Sequence, residues 1–191
     1  MPNLVDVTYA QTGNSLSTNS HGMREMQERA FAARNAQYLL LKAPPASGKS
    51  RALMFLGLDK LYNQGIKKVI VAVPERTIGG SFDRTDLTSH GFFADWEFNP
   101  DYNLCTPGGE TSRVTAFKNF LADKTQTILI CTHATLRFAF DAVDESVFND
   151  TLLAIDEFHH VSSEENNRLG EVLYSSGRTI SIRQVALYTR P

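Results

Sequence analysis

Leu39-Leu40-Leu41-Lys42-Ala43-Pro44-Pro45-Ala46-Ser47-Gly48-Lys49-Ser50 decides how this chain is read. An apolar run enters a Pro- and Gly-containing bend and leaves it as a helix. The spacing A-x-x-x-x-G-K-S is that of a phosphate-binding loop, with Ala43 at the usual first Gly. Each residue type has a physical reason. A triphosphate needs inward-pointing backbone N–H groups, and a helix N-terminus supplies them together with a favourable dipole. Gly48 lets the backbone approach without a Cβ. Lys49 supplies a point charge for the β and γ phosphates, and the Ser50 hydroxyl is a hard oxygen ligand suited to Mg2+. Ala46, Ser47, Gly48, Lys49 and Ser50 are therefore the candidate nucleotide-binding residues.

Outward from this stretch, the pattern alternates strand and helix. Tyr38–Lys42 predicts a buried strand and Lys49–Asn63 a helix, with Leu53, Leu56 and Leu61 on its apolar face and Gln64-Gly65 ending it. Lys67–Val73 predicts a second strand, parallel to the first because a helix joins them. Upstream, Met23, Met26, Ala30 and Phe31 fall at helical spacing and predict a helix over His21–Asn35. Residues 1–20 read as a polar N-terminal arm, although Leu4, Val5 and Val7 could add an edge strand. Downstream, helices are expected at Thr111–Ala122, Thr132–Phe140 and Glu164–Tyr174, and strands at Thr127–Cys131, Leu152–Ile155 and Ile180–Leu187. The stretch 83–109 holds Phe92, Phe93, Trp96 and Phe98 among turn residues and has no clear period. A loop with a short strand, packed on its own aromatics, is the expectation there. The sum is an α/β fold: about five strands in an open, mostly parallel sheet with helices on both faces.

Bulk properties bound the function. A chain of 191 residues, 42% apolar and 21% charged, suits one globular α/β domain. The net charge of −2 offers no global basic field, so nucleic-acid binding needs a local patch. Cys105 and Cys131 lack metal-ligand spacing and read as reduced thiols, which suits the cytoplasm. No signal-peptide pattern or long apolar run is visible, so no membrane partner is expected.

A second acidic element completes the site. Leu152-Leu153-Ala154-Ile155 runs into Asp156-Glu157-Phe158-His159. Ligands of open α/β sheets sit at the carboxyl ends of strands, where both this pair and the phosphate loop fall. Adjacent carboxylates there point different ways. Asp156 can place Mg2+ while Glu157 orients or deprotonates an attacking water. A helix-start acidic pair is the competing reading.

These two elements together resemble the first motor domain of the superfamily-two helicases, the DEAD/DExH-box group. Ala43–Ser50 looks like motif I of that family, and Asp156-Glu157-Phe158-His159 is a literal D-E-x-H box. Pro74-Glu75-Arg76-Thr77-Ile78 is similar to motif Ia. Cys131-Thr132-His133-Ala134-Thr135-Leu136 stands where the T-P-G-R or T-H element falls. Arg24-Glu25-Met26-Gln27 looks like the upstream R-x-x-Q element. The resemblance covers about residues 21–191 and implies a RecA-like ATP-binding domain over them. It implies that Gln27 contacts adenine and that Ser50 and Asp156 place Mg2+. It further implies that Glu157 is the base and that His159 links the nucleotide site to a partner domain or to motif III. Arg76, Thr132 and His133 would touch a nucleic-acid backbone, DNA ahead of RNA, positioning a strand without reading its sequence. Read as residues alone, Arg76 is also a plausible solvated side chain, His133 a capping or core-edge histidine and Gln27 a surface helix residue. His160 is an incidental neighbour, and Thr106-Pro107-Gly108-Gly109 a turn.

The sequence departs from the family pattern near its end. Val185-Ala186-Leu187-Tyr188-Thr189-Arg190-Pro191 lies where motif III is expected, with Tyr188 and Arg190 in place of hydroxyl residues. The second motor domain and its arginine finger are expected outside this chain, which reads as the N-terminal piece of a longer helicase or translocase. Alone it should bind ATP and hydrolyse it slowly. Two other functions fit the same motifs: a P-loop ATPase switch that uses no nucleic acid, and a nucleotide-dependent clamp that does not turn over.

Overall fold

The computed structural model describes residues 4–8, 18–106, 112–157 and 183–189. Six strands form one sheet in the order β1-β2-β6-β5-β3-β4, and every neighbouring pair is parallel. The strands are β1 (Leu4–Thr8), β2 (Tyr38–Ala43), β3 (Lys68–Val73), β4 (Ile128–Thr132), β5 (Thr151–Asp156) and β6 (Arg183–Thr189). The helices are α1 (Glu25–Ala32), α2 (Lys49–Asn63), α3 (Arg113–Ala122) and α4 (His133–Ala142).

Alternation along the central strands builds a core on each face. On β3, Val69, Val71 and Val73 point to the side of α1 and α2, while Ile70 and Ala72 join Phe117, Phe120, Leu136 and Phe140 on the side of α3 and α4. On β5, Leu152 and Ala154 take the first side, Leu153 and Ile155 the second. Period-two side chains that are apolar at every position are the mark of a sheet covered on both faces.

The helix after the phosphate loop runs over the predicted Lys49–Asn63. It is more deeply covered than its expected Leu53, Leu56 and Leu61 face implies, because every residue from Ala52 to Lys60 is buried. Two charged residues go in with it. Lys60 Nζ donates to the Arg34 carbonyl at 2.7 Å, just past the end of α1. The Asp59 carboxylate accepts from Asn63 and Gln64 and lies 3.6 Å from Arg34 Nε. These contacts satisfy the buried charges and tie α1 to α2.

The stretch without a period, 83–109, supplies the cover, and no regular strand forms within its described part. Short 3-10 turns flank an isolated antiparallel bridge between Thr85 and Trp96. Trp96 is fully buried, and its Nε1 donates to the Phe82 carbonyl at 2.9 Å. Its ring lies 3.0 Å from where a Cβ on Gly57 would sit, so the α2 backbone is approached as closely as a glycine allows. Phe92 packs edge-on between Phe31 of α1 and Phe55 of α2. The predicted aromatic packing is present, but directed at two helices distant in sequence.

Several boundaries differ from the sequence-based expectation. Residues 4–8, inside the expected arm, form an edge strand registered Leu4↔Tyr38, because β2 would otherwise leave a row of unpaired backbone groups. Among the described residues the sheet therefore has six strands. The first helix begins at Glu25 instead of His21, since the Asn19 side chain accepts from the backbone N–H groups of His21 and Met23 in a preceding turn. The helix expected from Thr111 is described from Arg113, and the last strand is described over 183–189, past the expected end at Leu187, while residues 180–182 lie outside the described part. The helix expected at Glu164–Tyr174 lies outside the described residues, as do Phe158, His159, His160 and Pro107 to Gly109.

Candidate nucleotide site at the carboxyl edge of the sheet

Because every strand runs the same way, all the loops that follow strands β2 to β5 emerge at one edge. The phosphate loop follows β2, the acidic pair follows β5, Arg76 follows β3 and Thr132-His133 follows β4. Strand β6 alone separates β2 from β5. Its register sets Thr189 opposite Ala43 and Leu187 opposite Asp156, so the two halves of the candidate site end within two residues of one another along it. The expected motif III segment thus supplies the strand between them.

The loop has the backbone its motif requires. Gly48 caps α2 at φ +88°, in the left-handed region open to glycine, and Ala46 is also left-handed at φ +58°. Lys49 is buried, and its Nζ donates to the carbonyls of Ala43 and Pro44, each at 3.2 Å. Burial lowers the Lys49 pKa, while Asp156 and then Glu157 act to raise it. Ser50 lies in the first turn of α2, half-buried. The Ser47 hydroxyl oxygen is buried without a hydrogen-bond partner, which costs free energy unless something accepts from or donates to it.

Gln27 of α1 is 2% exposed and belongs to this site. Its Oε1 accepts from the Arg24 N–H at 2.8 Å, and its Nε2 donates to the Gly48 carbonyl at 3.0 Å. A Cβ on Gly48 would lie 2.6 Å from that same Nε2. The resemblance implied a contact with adenine and the residue alone read equally as a surface helix side chain; the structure instead buries it and bonds it to the loop backbone.

The acidic pair ends β5. Asp156 is buried, and its pKa is raised by burial first and by the Glu157 charge second, with Lys49 pulling the other way. Each of Lys49 and Asp156 therefore feels the other, which puts the cation of the loop and the first carboxylate of the pair in one electrostatic neighbourhood. Glu157 leaves the strand at φ +53°, a backbone state unusual outside glycine and found where surrounding structure enforces it.

The residues assigned to nucleic acid by resemblance divide. Arg76 opens a 3-10 turn and is exposed at this edge. Thr132 caps α4, its hydroxyl accepting from the Thr135 N–H at 3.2 Å. His133 Nε2 lies 2.8 Å from the backbone carbonyl of Asp156, which can only accept, so that nitrogen carries the proton. No spacing in the sequence signals this contact. Cys131 and Cys105 are both buried; burial pushes the Cys105 thiol up to about 11 and Cys131 well above its ordinary value.

A nucleotide and a divalent cation suit this arrangement on three observations. They are the left-handed Gly48 that opens the loop backbone, the orphaned Ser47 hydroxyl and the paired carboxylates set against Lys49. Comparison with known proteins agrees on the nucleotide. The chain is 60% identical over 187 residues to the Bacillus subtilis (strain 168) protein named "Putative ATP-dependent helicase YeeB". That match takes in 98% of this chain and 31% of the relative, so the chain spans about a third of its length. The profile of the DEAD/DEAH box helicases matches residues 24–189, from the turn before Gln27 through the last strand of the sheet, and the chain belongs to that family.

Proposed function

We propose that this chain is the first, RecA-like motor domain of an ATP-driven nucleic-acid helicase or translocase, with its N-terminal residues adding the edge strand. The observation that carries the reading is the register of β6, which ends the strands bearing the phosphate loop and the acidic pair within two residues of one another, with Lys49 and Asp156 inside each other's electrostatic influence. Family membership supports it.

In this reading Ala46, Ser47, Gly48 and Lys49 hold the phosphates. Lys49 leaves the carbonyls of Ala43 and Pro44 for phosphate oxygens, a stronger charge-assisted contact. Gln27 contacts adenine while still bracing the loop through Gly48. Ser50 and Asp156 hold Mg2+, which usually takes only one or two protein oxygens beside those of the phosphates. Mg2+ bound there would draw charge from the transferring phosphoryl group. Glu157 orients the water and takes its proton. Its backbone is left-handed where it leaves β5, at φ +53°. His159 carries the signal to a second motor domain supplied by a longer polypeptide. Arg76 and the first turn of α4 receive a nucleic-acid backbone, tested as DNA first and RNA second. The setting is the cytoplasm, which suits two buried free thiols. Among the described residues, no helix is long and apolar enough to cross a membrane.

ATP hydrolysis by the full-length polypeptide, alone and with single-stranded DNA, duplex DNA or RNA, tests this. Stimulation by a nucleic acid that disappears in Glu157→Gln is expected. Hydrolysis equal in every tube would replace the motor with a switch. Tight Mg-ATP binding without turnover would replace it with a clamp.

A further inference from the structure

Strand order makes the His133 contact informative. β4, which delivers His133, is separated from β5 by β3. Two strand spacings come to about 10 Å, so the ring must reach over the end of β3 to meet Asp156. It does so with hydrogen-bond geometry at 2.8 Å. The carbonyl it meets belongs to the peptide linking Asp156 to Glu157, and that peptide sets the φ of +53° with which Glu157 leaves the strand. A donor on this oxygen restrains the peptide plane from which the Glu157 side chain departs. The start of α4 is fixed in turn, because Thr132 caps it through the Thr135 N–H and the Thr135 hydroxyl lies 3.0 Å from that of Thr132.

We propose that His133 is a positioning residue for the Asp156-Glu157 pair, joining the first turn of α4 to the base. This rests on the function proposed above and deepens it. A nucleic-acid backbone drawn to the N-terminus of α4 would shift that turn, and His133 would pass the shift to the peptide before Glu157. Nucleic acid then acts on turnover through the histidine, not by binding to it.

Steady-state hydrolysis by the full-length polypeptide separates this from direct contact, with ATP and nucleic acid each varied. His133→Leu is expected to lower kcat about tenfold or more, the usual cost of losing a group that orients a catalytic ligand. The KM for ATP and the half-saturating nucleic-acid concentration should stay within about twofold. His133→Gln keeps an N–H donor at similar reach and should restore kcat to within about threefold of the parent. A raised half-saturating concentration with full kcat at saturation would overturn the proposal in favour of direct contact. Equal losses in the Leu and Gln variants would overturn the donor role. A parent without Glu157-dependent hydrolysis would sink the motor reading itself. In that event the ring is judged without any variant, by histidine 15N NMR. A proton on Nε2 with slowed exchange keeps the contact, and a proton on Nδ1 alone removes it.

Discussion

The loop after β2 and the turn after β5 face each other across β6, yet they stand in opposite states. In the loop, Lys49 is satisfied by two carbonyls, Gln27 bonds Gly48, and the left-handed bend falls partly on a glycine. In the turn, a buried carboxylate is held beside another carboxylate, and the left-handed residue is a glutamate. The loop is a resting structure whose Lys49 contacts can be exchanged for phosphate, although its Ser47 hydroxyl is unpaired and its Ala46 is left-handed. The turn holds charge and backbone strain that a folded protein keeps only where neighbours enforce it. Substitutions in the two places should therefore fail differently: the loop through binding, the turn through turnover.

The largest break should come from Glu157→Gln. Loss of the proposed base is expected to lower kcat by about 10²- to 10⁴-fold with ATP affinity retained, measured by hydrolysis beside equilibrium binding. Lys49→Ala should weaken Mg-ATP binding by about a hundredfold, as charged hydrogen bonds to phosphate are lost. Titration with a labelled nucleotide reads this, and unchanged affinity would remove Lys49 from the site. Gly48→Ala should cost about 1–2 kcal/mol of stability from its left-handed φ, seen in urea unfolding. It should also displace the Gln27 amide, 2.6 Å from the new Cβ, and so weaken nucleotide binding further.

The smallest effect is a gain. Asp156 has its pKa raised, so its contribution to stability is fully present below its unfolded value of 3.8 and is lost as pH rises through the folded value. At neutral pH the buried charge is a cost, only partly offset by Lys49. Asp156→Asn should thus raise the Tm of the ligand-free protein by about 2 °C at pH 7 while removing Mg2+-dependent hydrolysis. The gain should shrink as pH falls toward 4. A gain that grows on acidification would show that the carboxylate is favoured by its surroundings.

Sequence reading did best where structure is local. Helix α2 occupies the expected Lys49–Asn63, because a phosphate loop, an apolar helical period and a Gln-Gly ending all lie within one stretch. Strand β5 and its acidic end were legible as four apolar residues running into two carboxylates. The segment 83–109 was not. Its order comes from Trp96 against Gly57 and Phe92 against Phe31 and Phe55, contacts with residues far away in the chain that leave no period behind. The edge strand at 4–8 was legible only as an option carried by Leu4, Val5 and Val7. Three apolar residues among polar ones become a strand only when β2 offers an open edge.

Motif chemistry, the alternation of strand and helix and the parallel sheet were written in residue order, since helix period, strand pattern and loop spacing depend on neighbours along the chain. Strand order was not, because pairing partners are chosen by packing over long separations. That choice inserted β6 between the two halves of the site and brought Lys49 under the influence of Asp156. It also carried His133 across β3 to the Asp156 carbonyl, in the peptide before Glu157. A histidine ring finds its acceptor only after the strands have been laid side by side, and no spacing along the chain encodes that distance.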